Sequence, residues 1–352
     1  MNGKDKDSPT RRSRTVGCLL GGAVGDALGA PVEFMSLWEI RNRYGKAGIT
    51  RFEYAYGRRG AITDDTQMTL FTAEGLVLSK VRAEYGRGNL TIPAIYHAYL
   101  RWLYTQEIHL QEDLIENHGT CSVIDGILIG HQELFSRRAP GTSCLSALRS
   151  PQMGTMDRPA NDSKGCGGVM RVAPIGLAYP DAEKAFQIGC ESAAITHGHP
   201  TGYLAAGFLA AVISMVASGE ALDRAIAEVS QILVNHDNHE ECLKAVESAV
   251  ELSNGKKFSP EILETLGAGW VAEEALSIGL YCALVVDRDF RHGVLSAVNH
   301  SGDSDSTGAI AGNIIGSRYG TDVIPDEWLS DLELRGLIEE VADDLLNQLH
   351  KA

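Results

Sequence analysis

Glycine recurs every fourth residue at both ends of this chain, at Gly17, Gly21, Gly25 and Gly29 and again at Gly308, Gly312 and Gly316. A third run, Gly198, Gly202, Ala206 and Ala210, has the same spacing. On a helix, each set forms one bare stripe. Glycine inside a helix costs roughly 1 kcal/mol per site relative to alanine. Its repetition therefore implies that another helix backbone lies against each stripe. Taken alone, the stripes mean tight helix packing and nothing more.

The rest of the chain agrees with a helical fold. From Val16 onward the apolar periodicity is that of helices, near residues 15–30, 64–80, 91–105, 122–135, 181–195, 200–218, 222–236, 240–252, 260–266, 270–286, 290–299, 305–318 and 332–350. Alternating strand patterns are scarce, and residues 49–56 make at most a short one. The stretch 141–165 reads as a long irregular loop, the kind that often carries function. No repeat period or low-complexity linker divides the chain. The expectation is a flexible N-terminal extension over 1–14 and a single all-α domain over 15–352.

With 352 residues there is enough chain for a large core, and 22% charged residues is ordinary for a globular protein. A formal net charge of −15 disfavours sequence-blind binding to nucleic acid or to an anionic membrane, but not an anionic ligand in its own pocket. The seven cysteines are scattered and have no zinc spacing, which reads as buried thiols in a reducing compartment. The polar first 14 residues contain no apolar signal region, and the apolar run 204–216 is too short to span a bilayer. A cytoplasmic location is the default expectation.

Two acidic clusters carry the chemistry: Thr63-Asp64-Asp65-Thr66 and Asp303-Ser304-Asp305-Ser306-Thr307. Both precede helical patterns, where Thr and Asp serve as N-caps and suit the helix dipole. Adjacent carboxylates also repel one another, which a cation would relieve. Carboxylate and hydroxyl oxygens without neighbouring His or Cys suit a hard ion such as Mg²⁺, Mn²⁺ or Ca²⁺. If the fold brings the clusters together, four Asp side chains could hold two ions. The second cluster resembles the start of an EF-hand but fails as one, because its twelfth position is Ile314.

Two more segments stand at helix starts. His197-Gly198-His199-Pro200 is better suited to hydrogen bonding than to metal ligation. Ser163-Lys164-Gly165-Cys166-Gly167-Gly168 is a Gly-rich loop of the sort that lets amides approach phosphate, though it lacks the P-loop order. No partner can be assigned that would make Cys166 a nucleophile.

Taken in order, six segments resemble the ADP-ribosylglycohydrolase family: GCLLGGAVGDALGAPVEF (17–34), ITDDTQMTL (62–70), SKGCGGVMRVAPIGL (163–177), THGHPTGYLAA (196–206), GWVAEEALSIGLYCAL (269–284) and NHSGDSDSTGAIAGNIIG (299–316). The resemblance implies a compact, orthogonal, all-α bundle around a central cleft with a binuclear Mg²⁺ or Mn²⁺ centre. It implies Thr63, Asp64 and Asp65 as ligands of one ion, and Asp303, Asp305 and Ser306 as ligands of the other, with Asp305 bridging. Glu33, Asp64, Asp65 and Asp305 are the implied catalytic carboxylates. Ser163, Gly165, Cys166, Gly167, Gly168 and His197 are implied contacts to the distal ribose and pyrophosphate; the family often carries Asn at the position of Cys166. The implied reaction is hydrolysis of the bond from ADP-ribose to a protein side chain, arginine first, with serine, O-acetyl-ADP-ribose or a nucleic-acid base as other acceptors. The alternative is an immunity or interaction protein that occludes an ADP-ribosyltransferase or toxin, with residues 1–14 or another surface.

Overall fold

The computed structural model describes residues 8–86, 90–106, 126–255 and 258–349. At its centre two glycine-striped helices, Arg11–Gly29 and Ser304–Tyr319, run antiparallel with their stripes face to face. A Cβ added to Gly25 would lie 1.9 Å from the carbonyl oxygen of Gly308, and one on Gly312 would lie 2.0 Å from that of Gly21. Only hydrogen fits between these backbones. Both helices are buried nearly all round, as expected of central rather than surface helices.

Other helices pack around this pair: Ala272–Val285, Phe290–Val298 and Arg335–Leu349. Helices Ala182–Ala194 with Pro200–Ala217, and Asp64–Glu84 with Thr91–Gln106, form further packed layers. Helix Pro200–Ala217 is long and apolar enough to cross a membrane, yet 83% of it is buried inside the fold. Gly198 precedes that helix, so it is not part of a stripe there. It is instead closely covered by Pro159 and Asn161.

The fold is all-α. The described strand structure is one antiparallel hairpin, Tyr54–Ala55 with Arg58–Arg59, shorter than the 49–56 strand expected. Four short helices escape the periodicity: Leu37–Tyr44, Thr142–Arg149, Ala173–Ala178 and Asp326–Asp331. The first is set by a reciprocal cap between Ser36 and Glu39. The second lies inside the stretch expected to be irregular; it buries Cys144, Leu145, Ala147 and Leu148 on one face. Within 126–135 the structure has two short 3₁₀ turns in place of the expected helix, and 122–125 lie outside the described residues.

Residues 11–14 of the expected N-terminal extension belong to the first helix. Thr10 caps the first helix through Ser13 N, and Arg14 donates to the carbonyls of Val216, Ser317 and Arg318. Those carbonyls belong to the C-terminal ends of the Pro200 helix (Val216) and of the Ser304 helix (Ser317 and Arg318), the latter remote from the acidic cluster at its start. Residues 1–7 of the expected extension, and Cys121, lie outside the described residues. The other six cysteines are free thiols.

Candidate active site

The antiparallel central pair places the end of one helix beside the start of the other: a Cβ on Gly29 would meet Ser304 and Asp305 backbone atoms within 2.4 Å. Asp26 lies one turn back from Gly29 and is fully buried. Its carboxylate accepts from Thr63 N at 3.0 Å and Thr66 N at 3.1 Å, and also from the Thr66 hydroxyl. The first helix thus holds the N-terminus of the Asp64–Glu84 helix. Thr63 is the N-cap there, accepting from Asp65 N at 3.3 Å. Asp303 is the N-cap of the Ser304 helix, accepting from Ser306 N at 3.3 Å. Capping and convergence therefore coexist: two helix starts, favourable to negative charge, face one space.

That space is a pocket of about 340 Å³. It is lined by Glu33, Asp64, Asp65, Asp303, Asp305 and Ser306. Gly165, Cys166, Gly167 and His197 from the sequence-derived set also line it. Thr63, Ser163 and Gly168 do not. Thr63 is fully buried as the cap of Asp65 N, Ser163 Oγ accepts from Gly165 N at 3.2 Å, and Gly168 packs on Ala193.

The carboxylates repel one another in a buried setting. Burial, then Asp305, raises the pKa of Asp26 to about 7. Burial, then Asp305, Asp303 and Asp64, raises that of Glu33 to about 11. Asp64, Asp65 and Asp303 are all held well above the usual carboxylate range, by burial first and Asp305 next. Asp305 is the common neighbour of the group. Asp65 Oδ1 and Glu33 Oε2 are buried with no hydrogen-bond partner. Orphaned buried oxygens in an all-oxygen cluster are the donor set that a hard divalent cation takes. Among the described residues, no three His, Cys, Asp or Glu side chains form a closed ion cage. The donors thus fit such ions in kind, as an open cluster rather than a finished cage.

The Gly-rich loop beside these carboxylates is tied down. Cys166 N donates to Trp270 O at 3.2 Å, and Ala272 N donates to Lys164 O at 2.8 Å. The Gly165 and Cys166 amides are already engaged, which leaves that of Gly167, the loop's other pocket-lining residue, as the candidate for an anion. The Cys166 thiol donates to Asp303 Oδ2 at 2.8 Å, and burial with Asp303 pushes its pKa well up, so it is no thiolate nucleophile. Gly167 lets His197 approach: a Cβ there would lie 3.0 Å from His197 Cε1. His197 Nδ1 pairs with Thr196 Oγ1 at 2.8 Å, and the same hydroxyl accepts from Arg171 at 2.7 Å. Burial, then Arg171, lowers the His197 pKa to about 3, so the ring is neutral.

Sequence reasoning missed several residues here. Arg171 is fully buried against Tyr99 and fixes His197 from behind. Arg138 forms a buried ion pair with Glu333, which also accepts from Ile62 N at 3.1 Å; the pair clamps the chain just before Thr63. Phe34 and Trp270 line the pocket as a stacked pair, ring centroids 5.2 Å apart. The Glu33-Phe34 dipeptide hinted at the last; the ion pair spans 195 positions and left no local signal.

The comparisons agree with this architecture. The family model for ADP-ribosylglycohydrolase matches residues 7–352. The ADP-ribosyl-[dinitrogen reductase] glycohydrolase of Rhodospirillum rubrum is 28% identical over 93% of this chain and 92% of its own. Mouse ADP-ribosylhydrolase ARH3 is 24% identical over 96% of this chain and 91% of its own. ADP-ribosylarginine hydrolase Tri1 of Pseudomonas putida is 21% identical over 95% and 78%. A solved structure titled ADP-ribosylglycohydrolase-related protein complex superposes with a TM-score of 0.67 at 25% identity, over 96% of this chain and 99% of that one. A model match along nearly the whole length, over a fold and a pocket of this make, carries one conclusion: the chain belongs to the ADP-ribosylglycohydrolase family.

Proposed function

We propose that this protein hydrolyses the glycosidic bond between mono-ADP-ribose and an arginine side chain of target proteins, with two Mg²⁺ or Mn²⁺ ions as cofactors. The observation that carries the reading is the meeting of Asp64, Asp65, Asp303 and Asp305 with Glu33 in one pocket, beside the Gly-rich loop. Arginine is the first acceptor because one relative is named for ADP-ribosylarginine hydrolysis.

Thr63, Asp64 and Asp65 would hold one ion, and Asp303, Asp305 and Ser306 the other, with Asp305 shared. Bound there, the ions supply charge neutralisation, anchorage for ribose hydroxyls and a water of lowered pKa. The remaining work belongs to the chain. The Gly167 amide and His197 bind the pyrophosphate and distal ribose. This fixes the anomeric carbon against the carboxylates. Departure of the guanidine leaves the ribose oxocarbenium-like, a charge that the surrounding carboxylates favour. Glu33, whose Oε2 has no other partner, hydrogen-bonds and orients the attacking water; its pKa is raised by burial and the neighbouring carboxylates, so it would act as a base only where bound cations offset them.

The test is release of ADP-ribose from an arginine-ADP-ribosylated protein, with EDTA and then with added Mg²⁺ or Mn²⁺. Release that EDTA stops and the metal restores is expected. Alanine at Asp303 or Asp305 should abolish turnover. Undiminished activity in the double alanine variant would end the metal reading.

A further inference from the structure

The mouth of the pocket carries a feature that the hydrolytic machinery does not use. Phe34 is 67% exposed and Trp270 40% exposed, yet they stack on each other with ring planes 23° apart. Both line the pocket. Phe34 directly follows Glu33 in a tight turn, where Val32 N and Glu33 N both donate to Gly29 O. Its backbone is left-handed, at φ 68°, a costly state for a bulky residue that persists where its surroundings demand it. Trp270 is held from the other side, since its carbonyl accepts from Cys166 N and Cys166 touches Asp303. Two apolar rings are thus pinned at the rim of a strongly acidic cluster and left in water.

We propose that Phe34 and Trp270 form the acceptor wall of the pocket, which recognises a planar cationic side chain, a guanidinium, as it emerges from the bond to be cut. This rests on the hydrolytic reading above. A guanidinium gains from an aromatic face and from nearby carboxylates together. A neutral acceptor gains from neither. The adenine of ADP-ribose is a poorer occupant: it lies beyond the pyrophosphate and a second ribose, whereas this pair adjoins the carboxylates at the reacting end.

Two measurements test the wall. In turnover, the double variant Phe34→Ala/Trp270→Ala should raise KM for ADP-ribosylarginine by roughly fivefold to tenfold. The loss on ADP-ribosylserine should be several times smaller. Equal losses on both acceptors overturn the proposal. In binding, the protein with ADP-ribose present is titrated with ethylguanidinium and, separately, with n-propanol. Quenching of tryptophan fluorescence by ethylguanidinium alone, lost in Trp270→Phe, is expected. No quenching, or equal quenching by the alcohol, overturns it. Quenching in a wild-type protein that releases no ADP-ribose from arginine would support the wall and sink the arginine-hydrolase reading, so the two fail separately.

Discussion

Asp26 shows how one side chain can tie a packing stripe to a reactive centre. It belongs to the first helix, but its oxygens cap the turn that presents Asp64 and Asp65. Its hydrogen bonding can be isolated by comparing two uncharged replacements. Asp26→Asn keeps one acceptor for the Thr63 and Thr66 amides, whereas Asp26→Ala leaves both buried donors unpaired. The alanine variant should be less stable than the asparagine variant by at least about 1 kcal/mol. Urea unfolding reads this directly, and equal midpoints would remove Asp26 as the anchor. His197 makes a pH prediction. Its pKa falls from the ordinary value to about 3 on folding, so the unfolded chain binds a proton that the native ring refuses. Arg171, joined to it through Thr196, adds to the effect of burial, and the carboxylates that share its pocket do not offset the two. Stability from this group is complete above about pH 6.5 and is lost as pH falls toward 3, by up to about 1.4 kcal/mol per pH unit. His197→Gln should flatten the stability–pH curve between pH 6.5 and 4. A curve of unchanged slope would show that the buried ring contributes nothing to it.

At the scale of elements, the zipped glycines set how close the first and the Ser304 helices can lie. Gly25→Ala gains helix propensity of about 1 kcal/mol but must push Gly308 away. Overpacking costs typically 1–3 kcal/mol and here it falls on backbone, which cannot rotate aside. A net loss of stability is expected, with turnover falling further because the same contact sets the distance between Asp26 and Asp305. Gly336→Ala, which meets open space at the start of the Arg335 helix, should be neutral or stabilising. Thermal melts of the two variants decide the matter; a Gly25→Ala protein as stable as wild type would mean that the pair tolerates separation. This pair also marks what a sequence can reveal. The stripes announced backbone contact, because glycine at four-residue spacing has few other uses. They did not say which stripe met which, since that is a matter of register between distant segments. The short helices were missed for a related reason. Thr142–Arg149 has barely two turns, its apolar face completed only by burial under the pocket loop. The acidic clusters were readable as caps and as candidate ligands at once, and their convergence required the antiparallel pairing.

At the scale of the whole molecule, the fold concentrates charge where it is least welcome. A chain of net charge −15 buries Asp26, Asp64, Asp65, Asp303 and Asp305 around one space, with Glu33 beside them. Among the described residues, no lysine or arginine lines that pocket. Such an arrangement costs folding stability and persists in proteins where a function requires it. Two consequences follow, with opposite signs. Without divalent ions, Asp65→Asn should be at least as stable as wild type, because it removes one member of a repelling set and its Oδ1 makes no hydrogen bond to lose. With ions, the order should reverse. A ligand bound only to the native state adds about 2.7 kcal/mol at a hundred times its Kd. Wild type should therefore melt several degrees higher in millimolar Mg²⁺ or Mn²⁺ than in EDTA, and Asp65→Asn should respond much less. Calcium and sodium controls separate ion binding from screening, since screening acts on both proteins alike. If the melting temperature of the wild type ignores divalent ions, the carboxylates are not a metal site, and their mutual repulsion must serve proton handling alone.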